Sequence, residues 1–202
     1  FLHFYLMITF ILIFLVYTYI YTFHDYKKAH LQAKVFIASI TFVLPLINGY
    51  IIYTTGNQDL DLYYAILWSQ CLSYLFDVIP SYKNKNYNQV THHLIGLPLN
   101  YCGFITRYDY SVFVLTNNIY FLEQGWNVFY YIFKLLDLYG LKHHKIRLMF
   151  KNIHFKGVLI VFTLKILNTV FVYITDMHIL IQLMATLQLV WNVYTLKNKK
   201  LL

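Results

Sequence analysis

This sequence has little charge. Asp, Glu, Lys and Arg make up 12% of its 202 residues, against roughly 25% in a soluble domain. Charge this sparse and this clumped cannot cover a water-facing surface, which excludes an ordinary soluble globular domain. Acid is the scarcer sign: 8 Asp and Glu stand against 16 Lys and Arg, a formal charge of +8. In a chain that is 59% hydrophobic, such an excess reads as membrane topology and contact with anionic lipid, not as a nucleic-acid surface. Cysteine is nearly missing. Cys71 and Cys102 both lie in apolar runs, so a disulfide framework is not expected and they read as small buried hydrophobes. No linker, low-complexity segment or internal repeat is apparent.

What is present is a series of long apolar runs. A membrane-spanning helix needs about 20 apolar residues, with a range of about 17–25. Runs at 2–23, 35–53, 62–79, 90–105, 110–136, 157–175 and 179–196 predict seven transmembrane helices. The first, FLHFYLMITFILIFLVYTYIYTF, has no charge, no basic leader and no small-residue cleavage site. It reads as a retained transmembrane helix and not as a signal peptide.

The connecting segments alternate in charge. HDYKKAHLQAK is basic and TTGNQDLD acidic; the third loop carries Lys83 and Lys85, and the fourth balances Arg107 against Asp109. The fifth, DLYGLKHHKIRLMFKNIHFKG, is strongly basic, the sixth holds Asp176, and the tail ends in Lys197, Lys199 and Lys200. Basic loops stay on the cytoplasmic side. The alternation therefore places the N-terminus outside and the C-terminus in the cytosol. Seven-helix sugar transporters share this orientation, but their paired three-helix repeats and Pro-Gln signature are not visible here.

An ionisable residue within a span is expected to face the bundle interior or a water-filled cavity. Asp77 lies near the cytoplasmic end of the third run, Glu123 near the middle of the fifth and Lys165 in the sixth. At about 1.5 Å rise per residue, Lys165 is about 12 Å from Gly157 and Glu123 roughly 16 Å from Lys134. The two could meet at similar depth, as a structural ion pair or as polar groups of a substrate chamber.

In NYNQVTHHLIGLPLNY, His92 and His93 occupy the first turn of the fourth helix, on the same side as Asp77. Adjacent helical residues point about 100° apart. One histidine is therefore expected to reach inward as base or donor, the other to orient it or cap a neighbour. The bare pairs THHL and KHHK lack the spacing of a standard chelate, so no metal is expected. The stretch KHHKIRLMFKNIHFK reads either as an ordinary basic cytoplasmic loop or as an interfacial amphipathic segment, its cations suited to lipid headgroups or to coenzyme A phosphates. A retinal Schiff base does not fit, because the last span has no lysine before Lys197.

Asp77 in SYLFDVI, His92 and His93 fifteen residues on in THHLIGLPL, and Glu123 in FLEQGWNVFYYIF together resemble the TLC domain. That family, named for its translocating-chain, Lag1 and ceroid-lipofuscinosis members, has the order aromatic-x-x-Asp, tandem His, then a Glu-bearing helix. The resemblance covers residues 35–196. It implies an all-α membrane protein in which residues 35–202 form a six-helix bundle around a central chamber. Residues 1–34 would add one N-terminal transmembrane helix and the first cytosolic loop. It also implies an endoplasmic-reticulum or related endomembrane location, a membrane lipid and acyl-CoA as partners, no bound cofactor, and room for a homo-oligomer.

Ceramide synthases, of the same family, transfer a fatty acyl group from coenzyme A to a long-chain base, and their tandem histidines are implicated in catalysis. They carry a His-Asp and a second Asp before the glutamate. Here that stretch is VFVLTNNIYFLE, with Asn117 and Asn118 instead. Asn can hydrogen-bond but cannot act as a base. The chain is more similar to the shorter TLC members, although EQGWN replaces their Glu-x-Ser-Thr-Pro-Phe.

The expected catalytic set is therefore His92, His93, Asp77 and Glu123, with Asn117, Asn118, Lys165 and Trp126 lining the substrate. Two functions follow. The first is acyl transfer from acyl-CoA to a lipid amine or hydroxyl, sphingolipid-like, with a histidine as general base. Asp77 would hold its tautomer, and Asn117, Asn118 or Lys165 would stabilise the oxyanion. The second is a non-enzymatic lipid-binding, lipid-sensing or lipid-trafficking protein that uses the same chamber.

Overall fold

The computed structural model describes residues 2–56, 60–94, 125–175 and 179–198, together with 97 and 122. Among them the regular structure is entirely helical: α1 (Leu2–Phe23), α2 (Tyr26–Thr55), α3 (Leu60–Lys83), α4 (87–94), α5 (Val128–Leu138), α6 (Lys145–Ile174) and α7 (Ile179–Asn198). Among the described residues, three helices are long and apolar enough to cross a membrane: Tyr26–Thr55, Asp61–Lys83 and Lys145–Ile174.

Two segments read from sequence as loops are helical. The first, HDYKKAHLQAK, turns only at His24 and Asp25. The Asp25 carboxylate then accepts from the Lys28 backbone N–H at 3.2 Å and caps α2, as an N-cap acid should. The second is the basic stretch after the fifth run. It forms the first turns of α6, with the His144 ring accepting from the Ile146 N–H at 3.3 Å. Both helices have 30 residues, about 45 Å at the α-helical rise, against a hydrocarbon core of about 30 Å. Their charged first turns are the surplus length. α4 likewise begins three residues earlier than the apolar run predicts, which puts His93 in its second turn.

α2 is the centre of the packing, touching α1, α3 and α5, while α5 and α6, and then α6 and α7, pack in sequence. Its buried residues Ala29, Ala33, Ile37, Thr41 and Pro45 recur every fourth position, the ridge that helices use to interlock. Most are small, which lets neighbouring backbones come close. At Gly125 an added Cβ would run into the α2 backbone at Thr41 and Phe42. On the other side of α2, Ile13 and Tyr17 of α1 and Leu72 of α3 pack on Ala33, with Tyr21, Phe36, Trp68 and Phe76 around them. α1 thus belongs to the core that positions Asp77.

The three basic turns share one end of the molecule. The Tyr26 hydroxyl donates to Ser81 Oγ at 3.2 Å, and Asn86 Nδ2 reaches Tyr26 at 3.5 Å. Gln32 Nε2 donates to the Tyr139 hydroxyl at 3.0 Å, with Lys28 over the same ring. These contacts bring together the turns at 24–25, 84–86 and 139–144.

Candidate functional site

Helical spacing assembles the site. On α3, Tyr74, Asp77 and Ser81 fall three and four residues apart, on one face. On α2, His30 and Lys34 stand four apart; on α4, Gln89 and His93 do the same. α1 contributes Tyr21 from its last turn. The four helices meet at Asp77.

Each oxygen of Asp77 is engaged twice. Oδ2 lies 2.7 Å from His93 Nε2 and 3.4 Å from Lys34 Nζ. Oδ1 accepts the Tyr21 hydroxyl at 2.5 Å and faces His30 Nδ1 at 3.2 Å. Side-chain exposure is 1% for Asp77, 0% for His93, 13% for Lys34 and 17% for His30. The cluster is therefore a buried carboxylate and a nearly buried ammonium, which cancel in charge, with an imidazole on each side.

The tautomer of His93 follows from its neighbours. Nε2 is 2.7 Å from Asp77 Oδ2, 2.7 Å from the carboxamide nitrogen of Gln89 as placed, and 3.5 Å from Lys34 Nζ. A bare Nε2 would set its lone pair against those of the carboxylate at 2.7 Å. With the Gln89 carboxamide turned so that its oxygen faces the ring, the network assigns the proton to Nε2, donated to Asp77, and the lone pair to Nδ1. That Nδ1 is buried and has no hydrogen-bond partner among the described residues. A buried imidazole with its proton tied to a carboxylate and no described side chain on its other nitrogen has the arrangement a general base needs.

His92 and His93 diverge as adjacent helical residues must. His93 packs on the Tyr74 ring with centroids 4.6 Å apart; His92 is half-buried, edge-on to the same ring at 5.6 Å. Trp126 belongs to a second cluster. Its ring lies 5.9 Å from Phe42 and 4.9 Å from Phe129, and its N–H donates to the His154 carbonyl at 3.4 Å. Lys165 is buried on α6, with Thr169 donating to its backbone carbonyl at 3.0 Å. Glu123, Asn117 and Asn118 lie outside the described residues, and with them the expected meeting of Glu123 and Lys165.

The structure thus joins Asp77 to His93 and adds Tyr21, His30, Lys34 and Gln89, which the sequence reading did not select. The first three lie at or before residue 34, at the end of the first run or in what read as a loop. Among the described residues, no three His, Cys, Asp or Glu side chains are grouped so as to hold a metal ion. The cation at the cluster is the Lys34 ammonium.

Among the described residues at this end, the acids Asp25 and Asp137 are both engaged. Asp25 pairs with Lys28 at 3.6 Å, and Arg147 grips Asp137 through two nitrogens at 2.9 and 3.1 Å. The Lys28 backbone N–H holds the Asp25 carboxyl below the usual carboxylate range, and the Arg147 bonds do the same for Asp137. Lys27, Lys83, Lys85, Lys134, Lys142 and Lys145 are exposed on the same three turns and the helix ends beside them. Compared with protein-family models, with curated proteins and with solved structures, the chain finds no match.

Proposed function

We propose that this chain is a TLC-type membrane protein of lipid metabolism that transfers an acyl group from acyl-CoA to a lipid hydroxyl or amine, with His93 as general base. In this reading seven helices span an endomembrane such as the endoplasmic reticulum, and the basic end faces the cytosol. One observation carries the chemistry: His93 Nε2 lies 2.7 Å from Asp77 Oδ2, and its buried Nδ1 has no partner among the described residues.

The reaction assigned to that geometry runs as follows. His93 Nδ1 takes the proton of the lipid nucleophile as its oxygen or nitrogen attacks the thioester carbonyl. Asp77 stabilises the imidazolium so formed, with Lys34 Nζ 3.4 Å from its Oδ2. The tetrahedral oxyanion needs donors, for which Asn117, Asn118 or Lys165 are the proposed groups. Collapse breaks the carbon–sulfur bond, and the Nδ1 proton passes to the leaving thiolate, which restores neutral His93. The exposed lysines of the basic end would receive the phosphates of coenzyme A.

The test compares lipid extracts by mass spectrometry from cells carrying the wild-type chain, His93→Ala or His92→Ala at equal membrane levels. General-base loss lowers turnover by about 10²–10⁴. An acylated lipid should therefore appear with the wild type, vanish with His93→Ala and persist at reduced level with His92→Ala. Identical profiles in all three would overturn the enzymatic reading. A second reading, a lipid-binding protein without chemistry, is favoured by the engagement of both Asp77 oxygens by four side chains, an arrangement that also clamps four helices. It expects identical lipid profiles and a destabilised His93→Ala protein.

A further inference from the structure

We infer that Tyr21, on the N-terminal helix, is a positioning residue for His93, acting through Asp77, so that α1 is part of the reactive site and not an appendage to it. The inference rests on the acyl-transfer reading for its kinetic consequence, but its geometry stands apart from that reading. A carboxylate can rotate about its terminal bond. His93 is served only while one carboxylate oxygen points at it, as Oδ2 does here. Lys34 and His30 both come from α2 and both draw Asp77 toward that helix. Tyr21 is the donor from the α1 side, its hydroxyl donating to Oδ1 opposite His30. It therefore fixes the rotation that keeps Oδ2 within 2.7 Å of His93.

The Tyr21 ring has its own supports, so the hydroxyl is separable from the packing. Tyr17 lies one turn earlier, with ring centroids 6.1 Å apart, and itself stacks on Phe76 at 5.9 Å, next to Asp77 in sequence. Tyr26 faces the other side of Tyr21 at 6.4 Å. Tyr21→Phe keeps these contacts and deletes one hydrogen bond.

The test places full-length wild type and Tyr21→Phe in bilayers with palmitoyl-CoA as acyl donor and host lipid as acceptor, and records ¹⁵N spectra of histidine-labelled protein. With Asp77 free to turn, the maximal rate should fall about tenfold, as expected for a small misplacement of reacting groups. The KM for palmitoyl-CoA should not change, and the His93 Nε2–H signal should leave its strongly hydrogen-bonded position. A wild-type rate and a wild-type His93 signal in Tyr21→Phe would overturn the inference. So would a raised KM with an unmoved His93 signal, which would mean that Tyr21 acts on substrate entry. Absence of product from the wild type sinks the acyl-transfer reading alone, because the His93 signal still decides whether Tyr21 orients the dyad.

Discussion

Replacing Lys34 by Met tests whether the ion pair at the centre of the cluster sustains it. Lys34 Nζ lies 3.4 Å from Asp77 Oδ2, and the carboxylate is 1% exposed. At an effective dielectric constant of about 20, that separation corresponds to about 5 kcal/mol of attraction. Removing one partner of a buried pair leaves an uncompensated charge and costs about 3–5 kcal/mol. Tyr21, His30 and His93 would still donate to Asp77, but the ammonium charge would be gone. The reverse change, Asp77→Asn, should cost less, about 1–3 kcal/mol. Lys34 sits on a long stem and is already 13% exposed, so its ammonium can swing toward water, whereas the short Asp77 side chain cannot. The double variant should then recover part of the sum, with a coupling of about 0.5–3 kcal/mol. Reversible unfolding in mixed micelles gives all four values. If Lys34→Met costs no more than Asp77→Asn, or the two costs simply add, the pair does not govern the cluster.

Other outcomes follow from the same contacts. Asp137→Asn should cost less than about 1 kcal/mol at neutral pH, since the pair lies at a turn. Arg147 holds the Asp137 carboxyl below its ordinary range. The contribution should therefore be complete above about pH 4 and fade as pH falls through the folded-state value; urea titrations from pH 7 downward would show the two proteins converging. Gly125→Ala forces a methyl onto the α2 backbone at Thr41 and Phe42, whereas the nearest atoms to a methyl at Gly157 belong to the Trp126 indole. Overpacking costs about 1–3 kcal/mol, so Gly125→Ala should be the worse of the two in thermal melts, and only Gly157→Ala should be relieved by a smaller residue at position 126.

Asp77 and His93 were legible in the sequence because polar residues inside apolar runs are few and each needs a reason. Lys34 and His30 were not, because hydropathy ends a span where charges begin, and HDYKKAHLQAK looks like a loop by that measure. A helical reading was available: Asp25 supplies an N-cap, and Ala29, Ala33 and Ile37 recur every fourth residue. That same register places His30 and Lys34 together. The first turns of α6 were misread for the same reason, with KHHKIRLMFK carrying charge through a helix that outruns the bilayer. Tyr21 left no local signal at all. Its partner lies 56 residues away, and only the packing of α1 on α3 brings them into contact.

An Asp–Lys pair that merely clamps helices would account for Tyr21, His30, Lys34 and the buried carboxylate, since all of them lower the cost of burying charge. It would not account for His93. Gln89 and Asp77 both crowd Nε2, while Nδ1 is buried with no partner among the described residues. Leaving a buried acceptor unmade costs about 1–3 kcal/mol, and a residue selected only for packing would avoid that cost. His93→Phe separates the two cases, because it keeps a ring against Tyr74 and removes both nitrogens. If the site is only a clamp, the variant loses one of four donors to Asp77 but also sheds the unpartnered Nδ1. Its melting temperature should then stay close to that of the wild type, with an unchanged lipid profile. If Nδ1 is held for a substrate proton, the folded protein should persist and the acylated lipid should disappear. A fold that survives together with a product that does not is the result the clamp cannot produce.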